Sequence, residues 1–159
     1  QGRQQGAYAD RLAALRRRHR RVIDVDLQNL AYALTQVAHN FGAVAVVAVP
    51  LYALCSMHPA GSRGLLWLAL SGWALQLASG AVFGAVSWHF YGQFPDIHGI
   101  AIAALVLKVL CALVALVLIA LSLYARPLHD GRRSTVTWRL LATLGGTALT
   151  GAAFLRWFS

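Results

Sequence analysis

The sequence predicts an all-α integral-membrane protein, a four-helix bundle preceded by a basic amphipathic helix, and three observations carry that reading. First, His98–Tyr124 (HGIAIAALVLKVLCALVALVLIALSLY) is apolar almost throughout, lacks Pro, and holds one charge, Lys108, near its middle. At about 1.5 Å per residue it can cross a hydrocarbon core of ~30 Å, whereas a helix of a small soluble domain must turn one face to water. Second, 58% of the chain is hydrophobic and 12% charged, with a mean hydropathy of +0.59, which is membrane-class composition. Third, the net charge of +9 comes from thirteen Arg, one Lys and five Asp, with no Glu, and seven of the Arg lie between Arg3 and Arg21. That clustering suits anionic lipid headgroups beside the bilayer better than nucleic acid, for which no module and no aromatic interleaving is present.

Residues 1–36 form the basic segment. Gln1–Gly6 reads as a poorly ordered lead; from Ala9 the composition is helical, with Asp10 placed to cap and Leu12, Leu15, Val22, Ile23 and Leu27 as an apolar stripe. The first apolar run starts near Tyr32, so no cleavable signal peptide is expected. Only Gly42 punctuates the chain between Ala9 and Pro50, so the basic helix is expected to run on into the first span.

Residues 37–159 supply four spans: 37–55, 65–88, 99–124 and 138–158. A turn over Ser56–Gly64 holds Pro59 and Gly61, and a polar loop covers Arg126–Thr135. Trp67, Trp88, Tyr124, Trp138 and Trp157 fall near span ends, where an interfacial aromatic belt belongs. Arg bias places both termini in the cytoplasm, with a bacterial inner membrane as the expected home. Gly72, Gly80 and Gly84, and then Ala142, Gly146 and Thr150, form small-residue stripes suited to close packing or to a flat macrocycle. Cys55 and Cys111 are too few for a disulfide framework and are expected to be small buried apolar residues.

Lys108 is the first candidate for chemistry. A Lys within a span costs ~2.5–3.5 kcal/mol on insertion scales and marks a functional site by default. None of the four expected spans contains an Asp or Glu, and Gln76 is the one polar residue of similar depth in the second span. Compensation is therefore expected from Gln76, water, loss of the proton to leave a neutral amine, the negative group of a ligand, or another chain. His39, His89 and His98 fall near the cytoplasmic ends of the first three spans, where converging imidazoles suit a haem, a metal or a quinone. In the segment Trp88–Gly99, read as a re-entrant or interfacial loop, Asp96 is the acid placed to orient an imidazole. On the opposite side Cys55, Met57 and His58 offer thiolate, thioether and imidazole ligands suited to Cu(I). No carboxylate pair, P-loop, HExxH or Ser–His–Asp set is present, so independent catalysis is not expected.

HNFGAVAVVAVPLY (His39–Tyr52), LASGAVFG (Leu77–Gly84) and His98–Leu128, with its mid-span Lys and closing YARPL, resemble the copper-resistance D membrane family over about half the chain. The resemblance implies a four-helix module linked to copper handling or membrane redox complexes, with attention on His39 and Lys108. The arrangement is also similar to small b-type cytochrome subunits. The leading expectation is a non-catalytic membrane subunit or anchor of an electron-transport complex, binding one haem b or bordering a quinone near His39, His89, His98 and Lys108. The alternatives are a copper-handling membrane protein using His39, His98, Cys55, Met57 and His58, and a structural subunit of a membrane supercomplex. In each case the partners are the lipid bilayer and other membrane subunits.

Overall fold

A computed structural model describes residues 2–56, 63–93, 98–124 and 131–158. It contains four helices: α1 (Gly2–Cys55), α2 (Arg63–Tyr91), α3 (Ile100–Tyr124) and α4 (Gly131–Phe158). The all-α class is as expected. The basic segment and the first apolar run form one helix, as the scarcity of breakers between Ala9 and Pro50 implies; Pro50 itself lies inside α1. Among the described residues three helical stretches are long and apolar enough to cross a membrane, Ile23–Cys55, Arg63–Tyr91 and Ile100–Tyr124. α4 forms but is not among them. It begins at Gly131, so the second half of the loop expected over Arg126–Thr135 is helical. Met57, His58, Pro59, Gly61, Asp96 and His129 lie outside the described residues.

The chain divides into two compact units, Gln1–Leu34 and Thr35–Ser159. In the first, Ile23, Val25, Leu27, Leu30 and Leu34 are exposed, as are Asp24 and Asp26.

The second unit is the bundle, and its packing follows from inward positions spaced three and four residues apart. The inward positions are Thr35, His39, Gly42, Val46, Val49 and Ala53 on α1, and Ala101, Ala104, Lys108, Cys111 and Ala115 on α3. On α4 they are Ser134, Trp138, Leu141, Gly145, Ala148 and Gly151. This 3-4 spacing is the knobs-into-holes seam of helical bundles. Lipid is as apolar as Leu, so close contact rather than water exclusion holds such helices together, and small residues set the crossings. A Cβ added at Gly72 would stand 2.8 Å from the Ala45 Cβ, and one at Gly145 would stand 2.8 Å from the Val46 carbonyl oxygen. Gly42 faces Gln76 and the Gly72 carbonyl, and Gly151 faces the Ala104 carbonyl. The contact stripe of α4 is thus Gly145–Ala148–Gly151 rather than the expected Ala142–Gly146–Thr150. Gly80 and Gly146 meet nothing within 4 Å.

Glycine also closes the ends. Gly92 (φ 66°) donates its N–H to the Trp88 carbonyl at 2.9 Å, a left-handed cap on α2, and Gly99 (φ 51°) leads into α3. Arg63 at the start of α2 donates to the Leu123 carbonyl at 3.4 Å in the last turn of α3, which fixes α2 and α3 antiparallel. Trp67, Trp88, Tyr124 and Trp157 are exposed, whereas Trp138 is 1% exposed and belongs to the core rather than to a belt.

Candidate functional site

Four polar side chains of the bundle, those of His39, Gln76, Ser79 and Lys108, meet at one level. His39 on α1 places Nε2 2.9 Å from Lys108 Nζ on α3 and Nδ1 2.7 Å from Ser79 Oγ on α2. Gln76, one turn before Ser79, donates through Nε2 to the His39 main-chain carbonyl. The Phe83 ring stands edge-on to the imidazole, centroids 5.8 Å apart at 73°. Positions 76, 79 and 83 share one face of α2 because residues three and four apart align. The face is brought close by the Gly42–Gly72 crossing directly beside it, since any side chain at Gly42 would push Gln76 away.

The donors and acceptors fall into one order. Ser79 has one hydroxyl hydrogen, and the Leu75 carbonyl 2.6 Å away takes it, the usual i−4 back-bond of a helical Ser. Ser79 Oγ must then accept from His39 Nδ1–H. Nε2 is left with its lone pair, which accepts from Lys108 Nζ–H. The relay Lys108→His39→Ser79→Leu75 therefore satisfies these groups with the imidazole as the Nδ1–H tautomer. Both members of the pair are half-buried. No Asp or Glu occurs in α2, α3 or α4, so the lone pair of His39 stands where a carboxylate would be expected.

Three of the expected residues, His39, Gln76 and Lys108, are thus brought together, in an unforeseen arrangement. Gln76 does not touch Lys108; it holds the backbone of the residue that does. His39, expected near the mouth of the first span, lies level with Lys108, the ninth residue of α3. Ser79 and Phe83 were missed. The signal was a lone hydroxyl three residues after Gln76 in the otherwise apolar LQLASG.

The other candidates stand apart. His89 and His98 are exposed, and the His89 ring contacts its neighbour Phe90 edge-on at 5.0 Å. Among the described residues no group of three His, Cys, Asp or Glu side chains is arranged to hold a metal ion. Cys55 and Cys111 are free thiols; Cys111 is buried as expected, while Cys55 is exposed. The expected room for a macrocycle beside Gly72 is filled, because Ala45 occupies it. No family model matches the chain, and no curated protein and no solved structure matches it.

Proposed function

We propose that the protein is a small, non-catalytic membrane subunit of an electron-transport assembly that borders a quinone at Lys108. One observation carries this reading over axial haem ligation: both ring nitrogens of His39 are engaged, one by Lys108 and one by Ser79. An iron ligand needs a free nitrogen. A quinone carbonyl needs only a donor, and an ammonium holding His39 with one N–H has two more to offer. Apolar walls with a few fixed polar groups suit such a ligand. On this reading α4 is the fourth span, its Gly145 and Gly151 faces packed on α1 and α3, and both termini are cytoplasmic.

The test is the protein extracted in mild detergent with whatever chains accompany it. Quinone recovered by solvent extraction should fall at least about tenfold in Lys108→Met, the scale of one lost hydrogen bond to a charged donor. A Soret band that disappears in His39→Ala would replace the quinone by haem. Bound copper without such a band would favour the copper-handling alternative. Partner subunits without quinone, haem or copper would leave the structural subunit.

A further inference from the structure

Two ways of satisfying a polar side chain recur in the bundle. Gln76 is buried and bonded to the His39 carbonyl. The outward hydroxyls of Thr143 and Thr150 donate, each at 3.0 Å, to the carbonyls four residues before them, those of Arg139 and Gly146. Gln36 and Asn40 on α1 use neither in full. Both are exposed, and one hydrogen bond joins them: Gln36 Nε2 donates to Asn40 Oδ1 at 2.8 Å across one helical turn. A carboxamide carries two N–H donors and a carbonyl oxygen. That single bond leaves Gln36 Oε1, one Gln36 N–H and both N–H groups of Asn40 without a partner among the described residues.

Depth makes the shortfall costly. His39, the residue before Asn40, is level with Lys108, the ninth residue of α3. At 1.5 Å per residue, Asn40 lies on the order of 10 Å inside a hydrocarbon core of ~30 Å centred on α3. No water is present there to pair with an exposed carboxamide, and Asn and Gln at such positions bond across to another helix. The exposed neighbours Val37, Phe41 and Val44 are apolar, and no Asp, Glu, Lys or Arg occurs between Thr35 and Cys55. This face therefore asks for a neutral partner that both donates and accepts.

The unused groups complement one another. One copy offers an acceptor at Gln36 and donors at Asn40, and a second copy inserted in the same orientation offers the same set at the same depth. About a two-fold axis along the membrane normal, Asn40 of each copy donates to the Gln36 carbonyl oxygen of the other. With the bond already present within each helix, this closes a ring of four carboxamides in which every side-chain carbonyl accepts. Symmetry supplies the match, as in any isologous contact, and a polar pair of this kind fixes the register of two helices.

We propose that the protein associates as a parallel two-fold dimer through the outer face of α1, with Gln36 and Asn40 of both copies joined in this ring. His39 projects towards α2 and α3 rather than into this face, so the dimer leaves the Lys108 relay in place and does not depend on a quinone being bound.

The full chain, labelled at its C-terminus and reconstituted in liposomes at falling protein-to-lipid ratio, tests the proposal by single-molecule photobleaching. Two-step traces should give way to single steps on dilution. Asn40→Leu and Gln36→Leu should each move that midpoint to at least about tenfold higher protein density, the scale of two inter-helix hydrogen bonds in a membrane. Asn40→Gln, which keeps donor and acceptor, should stay near the parent. In a Cys55→Ser chain, Val44→Cys, one turn beyond Asn40, should form a disulfide-linked dimer with a lipid-soluble oxidant, whereas Leu113→Cys, exposed on α3, should not. Single steps at every density, a midpoint unmoved by both Leu variants, cross-linking at position 113 as readily as at 44, or association only with a different chain would overturn the dimer. The cross-linking variants keep both carboxamides, so that arm stands if a Leu variant fails to fold.

Discussion

His39 Nε2 accepts a hydrogen bond from Lys108 Nζ at 2.9 Å, so an imidazole sixty-nine residues away answers the one Lys of the chain. The pair is asymmetric: the cation needs the imidazole more than the imidazole needs the cation. Replacing His39 by Phe strands an ammonium inside the bundle and should destabilise by about 2–3 kcal/mol, somewhat less than a fully buried pair because both groups are half-buried. Replacing Lys108 by Met removes the costly group and leaves a single lone pair, so that variant should stay within about 1 kcal/mol of the parent or exceed it. The double variant should resemble Lys108→Met. Thermal unfolding in detergent micelles gives the order, and a Lys108→Met less stable than His39→Phe would show the pair is not read correctly.

Ser79 sets the tautomer. With Ser79→Ala the Nδ1 proton loses its acceptor, at a cost of about 0.5–1.5 kcal/mol. Nitrogen NMR of labelled histidine should show His39 as a single Nδ1–H species in the parent and as a tautomer mixture in the variant. A single Nε2–H species in the parent would reverse the direction of the relay.

Glycines one residue apart should answer oppositely to the same change. Gly145→Ala drives a Cβ to 2.8 Å from the Val46 carbonyl oxygen and should cost about 1–3 kcal/mol, as should Gly72→Ala against Ala45. Gly146→Ala and Gly80→Ala enter open space and should gain up to about 1 kcal/mol from helix propensity. Equal effects at Gly145 and Gly146 would remove the close α1–α4 crossing.

The cap of α2 offers a further check. Gly92 holds φ at 66°, which an L side chain adopts at a cost of about 1–2 kcal/mol. Gly92→Ala should destabilise by that amount and Gly92→Asn by less, since Asn tolerates the left-handed region. Exchange of the Gly92 amide, bonded to Trp88, should speed up in the Ala variant.

The helices themselves were legible because each rests on a local signal: a long apolar run, a scarcity of breakers, an aromatic or glycine at an end. The site was only half legible. Lys108 stood out because a charge among Leu and Val is conspicuous in one dimension, and Gln76 because it shared that depth. The partner was hidden because the register of α1 against α3, which sets His39 beside Lys108, is fixed by packing between helices and is not written in either helix alone. Trp138 misled for a different reason. A Trp near the start of a span looks interfacial, but with α4 beginning at Gly131 it is two turns in and lies in the core. Which glycines make contact depends on which face each helix turns inward, and the small-residue spacing alone does not give that face.

The relay also bears on how the chain is built into a bilayer. Synthesis runs from the N-terminus, so His39, Gln76 and Ser79 are all made before Lys108. Every group that the relay needs to receive the Lys108 side chain, and to hold the receiving residue, lies on the two helices that precede α3. The cost of placing that side chain in the membrane is thus met by partners that already exist in the chain when the third helix arrives.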